Sequence, residues 1–372
     1  MGMKLSRDIV KDLFRGDKSG RVGLVCDFWD ETIPSWLAQG YPVDDDGSPV
    51  HPAEHFNLDM LCAGGWFDWK CRPGIHDVLE ENKDSQTFRD GNGVTRKQWK
   101  LRSGTSEKIS FSMNSFEEWQ KCRACVVCSA EKRVDKEVIN TTRVNLKRWR
   151  EKGKWTFYGH QFLWENMRDS FGEITLCEKV MNDRAWASDY CSVYTDLYKE
   201  AFTLLIDSAG KPDGIWLYED LGYNNATFCS PGMYEEILFP FYSEITDFFH
   251  RLGMAVVMHS CGFVETIAGM MADAGIDGLH PLEVNAGNDP LKMAGEIGDK
   301  MVLIGGFDTA ILETGDRERI RKAVEDIVKR MRYAGARYVF CPSSPISPKV
   351  RYDDFRYALD VFRECASPAL NN

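Results

Sequence analysis

Two periods alternate along the second half of this chain. Short, continuous apolar runs end in polar residues at KWTFYGH (154–160), GIWLYED (214–220), MAVVMHSC (254–261), GIDGLHPLE (275–283), KMVLIGGFD (300–308) and ARYVFC (336–341). Between them apolar residues recur at helical spacing: Val264, Ile267, Ala268 and Met271 after one run, and Ile320, Val324, Ile327, Val328 and Met331 before the last. Ser230-Pro231 has the form of an N-cap followed by a first-turn proline, predicting a helix through Ile245 and Phe248. Strands without polar alternation, each followed by a helix, predict a parallel sheet covered on both faces.

Five such units follow residue 210, and earlier runs, among them RVGLVCDFWD (21–30), can supply three more. The economical architecture is a (β/α)8 TIM barrel. An open doubly wound sheet is the alternative, and it is weakened because no glycine-rich dinucleotide fingerprint follows any strand. The first part differs in character. TFRDGNGVTRKQWK (87–100) predicts a hairpin about Gly91-Asn92-Gly93, so a partly β insertion is expected at about 66–120. Residues 1–20 read as an N-terminal helix or arm, and 21–372 as a single barrel domain.

Composition narrows the function. A formal charge of −11 over 372 residues argues against a nucleic-acid partner, and no apolar run is long enough for a membrane span. No apolar signal core opens the chain, so a cytoplasmic location is expected, with its 12 cysteines reduced. Met1-Gly2 with Ser6 fits an acylation pattern, but a motif that short arises by chance. Cys122, Cys125 and Cys128 (CRACVVC) lack a fourth partner for an iron–sulfur cluster and read as one flank of a helix.

The candidate chemistry lies where the strands end. Residues two apart in a strand face the same way, so His259 and Cys261 point together at the carboxyl end of their run, the end where barrels carry active sites. Glu283 and Cys341 end two other runs. Together the four are a good tetrahedral zinc set, whereas taken singly each reads as ordinary core. Asp220 and His160, at two further strand ends, are candidate acid–base groups. Trp29, Trp66, Tyr223 and Asp308 are candidate substrate-binding residues, although plain packing is the stronger reading of the two bulky tryptophans.

The segments HSCG (259–262), HPLEVNAGND (280–289) and LIGGFD (303–308), with the late Cys341, resemble the uroporphyrinogen decarboxylase superfamily. Within it the ligand set is similar to that of the zinc methyltransferases that methylate coenzyme M from a corrinoid protein, and to the zinc site of cobalamin-independent methionine synthase. That resemblance implies a barrel, a Zn2+ ion and transfer of a methyl group between a methylated small molecule or thiol and a corrinoid (cobalamin) protein, whose methylated corrinoid acts as cofactor. It leaves room for a homodimer. One departure matters: the decarboxylases bind porphyrinogen carboxylates through an arginine-rich N-terminal segment, and VCDFWDETIP carries Asp27, Asp30 and Glu31 there. The alternative activity is therefore a metal-free decarboxylase or lyase acting on a small carboxylic acid other than uroporphyrinogen.

Overall fold

A computed structural model describes residues 4–18, 20–101 and 104–367; Met1 and Gly2 of the acylation pattern lie outside the described residues. Eight strands form one parallel sheet: β1 (Gly23–Leu24), β2 (Met60–Gly64), β3 (Trp155–Gln161), β4 (Gly214–Tyr218), β5 (Ala255–His259), β6 (Gly278–His280), β7 (Val302–Ile304) and β8 (Arg337–Phe340). Their order, β1-β8-β7-β6-β5-β4-β3-β2, runs once around a barrel. At the seam between β1 and β2 a side chain completes the pairing. Asp59 accepts the Leu24 amide at 2.8 Å, and its own amide donates to the Leu24 carbonyl. This buried carboxylate is held by both Nη atoms of Arg21, at 2.7 and 2.6 Å. A two-pronged guanidinium is the partner that makes a buried charge tolerable.

The strand interiors alternate between two apolar environments. Phe157, Trp216, Val257, Val339 and Cys341 face the lumen, whereas Tyr158, Leu217, Met258 and Phe340 face the surrounding helices. An amphipathic helix, Ser6–Phe14, closes the amino end of the barrel by adding Val10 and Leu13 to the lumen cluster. Arg7 and Lys11 pin it to the buried Asp213 at 2.7 and 3.1 Å. With that end plugged, the open mouth is at the carboxyl ends of the strands.

The hairpin expected at 87–100 is present as Ser85–Asp90 paired with Thr95–Trp99. Its turn is held by Asp90, which accepts the Asn92 and Val94 amides at 2.9 and 3.0 Å. Two more strands, His76–Glu81 and Glu107–Ser110, extend it to a four-stranded meander lying between β2 and β3 in the chain. The helix foreseen from Ser230 is two helices, Pro231–Ile237 and Phe239–Arg251. Pro240 has no amide hydrogen to carry one helix through that point. The helix after Cys261 is short, Ala268–Asp273, although Val264, Ile267, Ala268 and Met271 are all buried as their spacing foresees. One cysteine expectation is corrected: Cys71 and Cys122 form a disulfide, since packing of the insertion brings their Cα atoms to 5.4 Å. Cys125 and Cys128 are free and exposed.

Candidate metal centre and active site

The mouth is built from the ends of β4, β5 and β6, which are in register. His259 pairs with Tyr218 on one side and His280 on the other, so all three side chains turn into the lumen. Beyond β5 the chain bends through Ser260-Cys261-Gly262. Ser260 is buried, and its hydroxyl accepts the Leu221 amide at 2.9 Å. Gly262 has φ +81°, and a Cβ there would lie 2.2 Å from the Gly222 carbonyl carbon. Only glycine permits that approach, which seats the hairpin of Gly222–Tyr223 and Ala226–Thr227 against the Cys261 loop. A second contact of this kind fixes the β7 end, where Gly305 at φ +126° would place a Cβ 1.7 Å from the Pro281 carbonyl oxygen.

Three donors of different types converge here. The Cys261 sulfur is 3.2 Å from His259 Nε2, and Asp220 Oδ1 is 3.6 Å from the same nitrogen. Asp220 Oδ1 also accepts the Cys261 amide at 2.9 Å, which ties the ends of β4 and β5 together. The oxygen, nitrogen and sulfur all lie within 4.8 Å of one another. Glu283 stands next to them, accepting the Gly262 amide at 2.8 Å. Cys341 lies on the far side of a second imidazole: His280 Nδ1 is 2.8 Å from His259 Nδ1, and His280 Nε2 is 3.5 Å from the Cys341 sulfur. The structure thus brings His259 and Cys261 together directly, keeps Glu283 one hydrogen bond away, interposes His280 before Cys341, and adds Asp220. His280 was not singled out from the sequence, although its place at a strand end beside Pro281 is the same signal that marked His259.

Electrostatics at the mouth favour an added cation. Burial pushes the Cys261 thiol pKa far up, and the charges of Asp220 and Glu283 push it further. Burial lowers the pKa of His259 against the opposing pull of Asp220, Asp27 and Glu283. It lowers that of His280 more strongly, with His259 adding to the effect. Asp27 opens onto the mouth yet is surrounded by protein, and its carboxyl pKa is raised for that reason. Burial also raises Glu165 to about 7, and Asp220 adds to the rise against Arg168. Glu219 is raised to about 8. It faces away from the lumen, where it accepts the Trp164 and Glu165 amides at 3.0 and 2.8 Å and the Tyr242 hydroxyl at 2.8 Å. It thereby caps the helix Leu163–Phe171.

His160 is a correction. Its Nε2 is 2.9 Å from the Phe67 carbonyl oxygen, and its Nδ1 is 2.7 Å from the Gln161 carbonyl and 2.9 Å from the Tyr198 hydroxyl. The ring is fully buried, and burial lowers its pKa to about 4. Both nitrogens are engaged by groups of the protein, and the ring ties the start of the insertion to the barrel. Trp66 lies over it and against Tyr218, both at 5.3 Å between ring centroids, and is 46% exposed. Trp29, 41% exposed, lines a cavity of about 510 Å3 that enters the lumen beside β1 and β2. Tyr223 stacks on Phe228 at 5.3 Å in the hairpin by Cys261. Asp308 accepts from Asn285 Nδ2 at 3.1 Å and from the Ala310 amide at 2.9 Å, a loop-fixing role at the rim.

Comparison with known proteins bears on this arrangement. The family model described as uroporphyrinogen decarboxylase (URO-D) matches residues 178–365, half of the chain, from within the helix Glu173–Asn182 to the last helix. The chain belongs to this family. Among solved structures, a methyltransferase from Methanosarcina mazei is similar over 97% of this chain and 99% of its own, with a TM-score of 0.68 at 14% identity. At that identity the likeness shows the fold, and it extends the (β/α)8 barrel beyond the family match to nearly the whole chain. Dispersin B aligns over 93% of this chain and 98% of its own at 9% identity, with a TM-score of 0.36, which is too low to support an argument. No curated protein matches the sequence. Among the described residues no helix is long and apolar enough to cross a membrane.

Proposed function

We propose that this member of the uroporphyrinogen decarboxylase family is a zinc-dependent methyltransferase, moving a methyl group between a methylated small molecule or thiol and the corrinoid of a partner protein. The observation that carries this reading is the convergence of Asp220, His259 and Cys261 at the mouth, within 4.8 Å of one another. Carboxylate, imidazole and thiolate are each ligands that zinc accepts, and three protein ligands with an open position are the pattern of a catalytic rather than a structural site. The fold shared with a protein named a methyltransferase adds support.

The residues fit such an ion. Asp220, His259 and Cys261 would hold it, with Glu283 beside them and Cys341 reachable only past His280. The bound metal would supply positive charge that keeps a substrate thiol as thiolate or polarises the atom bearing the methyl group. The protein's own contribution is positional. Asp220 orients the Cys261 loop through that residue's amide, and Glu283 does the same through the amide of Gly262. His280 fixes the His259 ring from behind, leaving Nε2 toward Cys261 and Asp220. Tyr218 and Trp66 wall the mouth.

Charge disfavours the porphyrinogen reaction. A polycarboxylate would meet Asp27, Asp30, Asp220 and Glu283, while the nearby Arg168 is already paired with Glu165 and Glu173. The test is elemental analysis of purified protein, followed by a methyl-transfer assay using free methylcobalamin and a thiol panel. About one zinc per chain, with activity lost on chelation and restored by zinc, is the expected result. Full turnover by metal-free protein would overturn it.

A further inference from the structure

The charge pattern of the mouth also bears on which small molecule it takes. The cavity of about 510 Å3 at β1 and β2 is walled by Trp29, Phe157, Trp216 and Tyr218, and Asp27 and Asp30 open onto it. Neither carboxylate has a hydrogen bond or an ion pair through its side chain among the described residues, whereas most acidic groups elsewhere in the molecule are paired. Arg148, at the outer end, is paired at 2.6 Å with Glu54, a carboxylate it shares with Lys152, and lies over the Trp149 ring at 4.6 Å, away from Asp27 and Asp30. The inner part of the cavity therefore combines aromatic faces with uncompensated negative charge.

These two features exclude different ligands. Aromatic walls accept an aromatic ether or an alkylammonium, but an ether leaves both carboxylates desolvated without a partner, a costly arrangement. An anionic methyl acceptor, such as a sulfonated thiol, would be repelled. A quaternary ammonium group satisfies both features, because its charge is spread over methyl groups that pack on ring faces while a carboxylate balances it. The chain's formal charge of −11 draws cations toward it from a distance.

We infer that the aromatic and acidic cavity beside the metal centre is a binding site for a methylated quaternary ammonium compound, the methyl donor of the proposed reaction. This rests on the methyltransferase reading only in naming the ligand a donor. In the transfer the C–N bond breaks with its electron pair remaining on nitrogen, leaving a neutral tertiary amine. The methyl carbon bonds to the reduced corrinoid nucleophile of the partner protein, and no proton moves.

The experiment is calorimetric titration of the intact protein, zinc-loaded and metal-stripped, with choline, its neutral isostere 3,3-dimethyl-1-butanol, and methoxybenzene. Choline is expected to bind at least tenfold more tightly than the isostere and than methoxybenzene. Asp27→Asn should remove that preference, and Trp29→Leu, at a surface-exposed position that folding tolerates, should weaken choline at least threefold. Equal or tighter binding of either neutral compound, or no binding of choline, overturns the inference. The two readings fail separately: choline preference without zinc or methyl transfer removes the methyltransferase alone, and zinc-dependent transfer from a neutral ether with no choline preference removes this inference alone.

Discussion

Of the three histidines at barrel strand ends in this molecule, two have opposite fates. His160, next to last in β3, lies between the sheet and the helix Arg184–Ala209 with both nitrogens engaged. His259, last in β5, turns into the lumen and meets Cys261 and Asp220. Parity along the strand accounts for the difference. Phe157 is a lumen residue, so His160, three positions on, faces outward; Val257 is a lumen residue, so His259, two positions on, faces inward. The same count separates the adjacent carboxylates after β4. With Trp216 inward, Glu219 faces out and caps a helix, while Asp220 faces in and joins the candidate metal site. Neither residue type nor position at a strand end suffices to mark a site; the face decides.

The largest effects should fall on the inward member of the pair. Cys261→Ala removes one of three converging donors, and zinc content is expected to drop from about one per chain to near zero, with methyl transfer reduced at least 100-fold. Elemental analysis and the methylcobalamin assay measure both. His160→Gln should show the reverse pattern, with zinc retained and stability lost. Gln cannot reach the Phe67 carbonyl and the Tyr198 hydroxyl from one ring's geometry, and a buried polar partner left unsatisfied costs roughly 1–3 kcal/mol. Urea unfolding reads that loss. Zinc lost from His160→Gln with stability intact would show that parity does not divide the two residues.

A smaller effect sharpens the boundary of the site. If Asp220, His259 and Cys261 hold the ion, Cys341→Ser and Glu283→Gln act through His280 and the Gly262 amide. Each should then keep the zinc stoichiometry and lower affinity by roughly tenfold, the scale of groups that orient ligands. Competition with a chelator of known affinity measures this. Loss of zinc from Cys341→Ser would instead place that thiol on the metal, as the four-ligand pattern His259, Cys261, Glu283 and Cys341 anticipates, and would require His280 to move aside.

The barrel was legible because strand–helix alternation leaves a strong mark: runs such as GIWLYED and MAVVMHSC have no polar alternation and became β4 and β5. The strand-end rule also located Asp220, His259, Cys261, Glu283 and Cys341 around one mouth. Which strand-end residues face inward could not be read, because a parallel sheet covered on both sides is apolar on both faces and its sequence carries no parity. His160 was misplaced for that reason. Glu219 and His280 were passed over for a related one, since their partners, the Trp164 amide and the His259 ring, come from elsewhere in the chain. The disulfide of Cys71 and Cys122 depends on packing between segments 51 residues apart and leaves no local signal.

The smallest effect tests how far the inward cluster reaches electrostatically. Glu165 sits at the mouth with its carboxyl pKa raised from 4.5 to about 7, by burial first and by Asp220 among the further causes, against Arg168. The folded state therefore holds this proton more tightly than the unfolded chain. Below pH about 4.5 the group is protonated in both states and contributes nothing; as pH rises toward 7 the unfolded chain ionises first, and stability falls. Glu165 should thus contribute to a decline between about pH 5 and 7, in addition to the one that Glu219 causes, and Glu165→Gln should make the decline shallower without abolishing it. Zinc bound at Asp220 offsets one source of the raised pKa, so the decline should be shallower in zinc-loaded protein, by on the order of 1 kcal/mol or less across the range. Urea melts at pH 5, 6 and 7, with and without zinc, measure it. A decline that zinc leaves unchanged would mean that burial alone sets Glu165, and that the charge at Asp220 is not felt beyond the donors it touches.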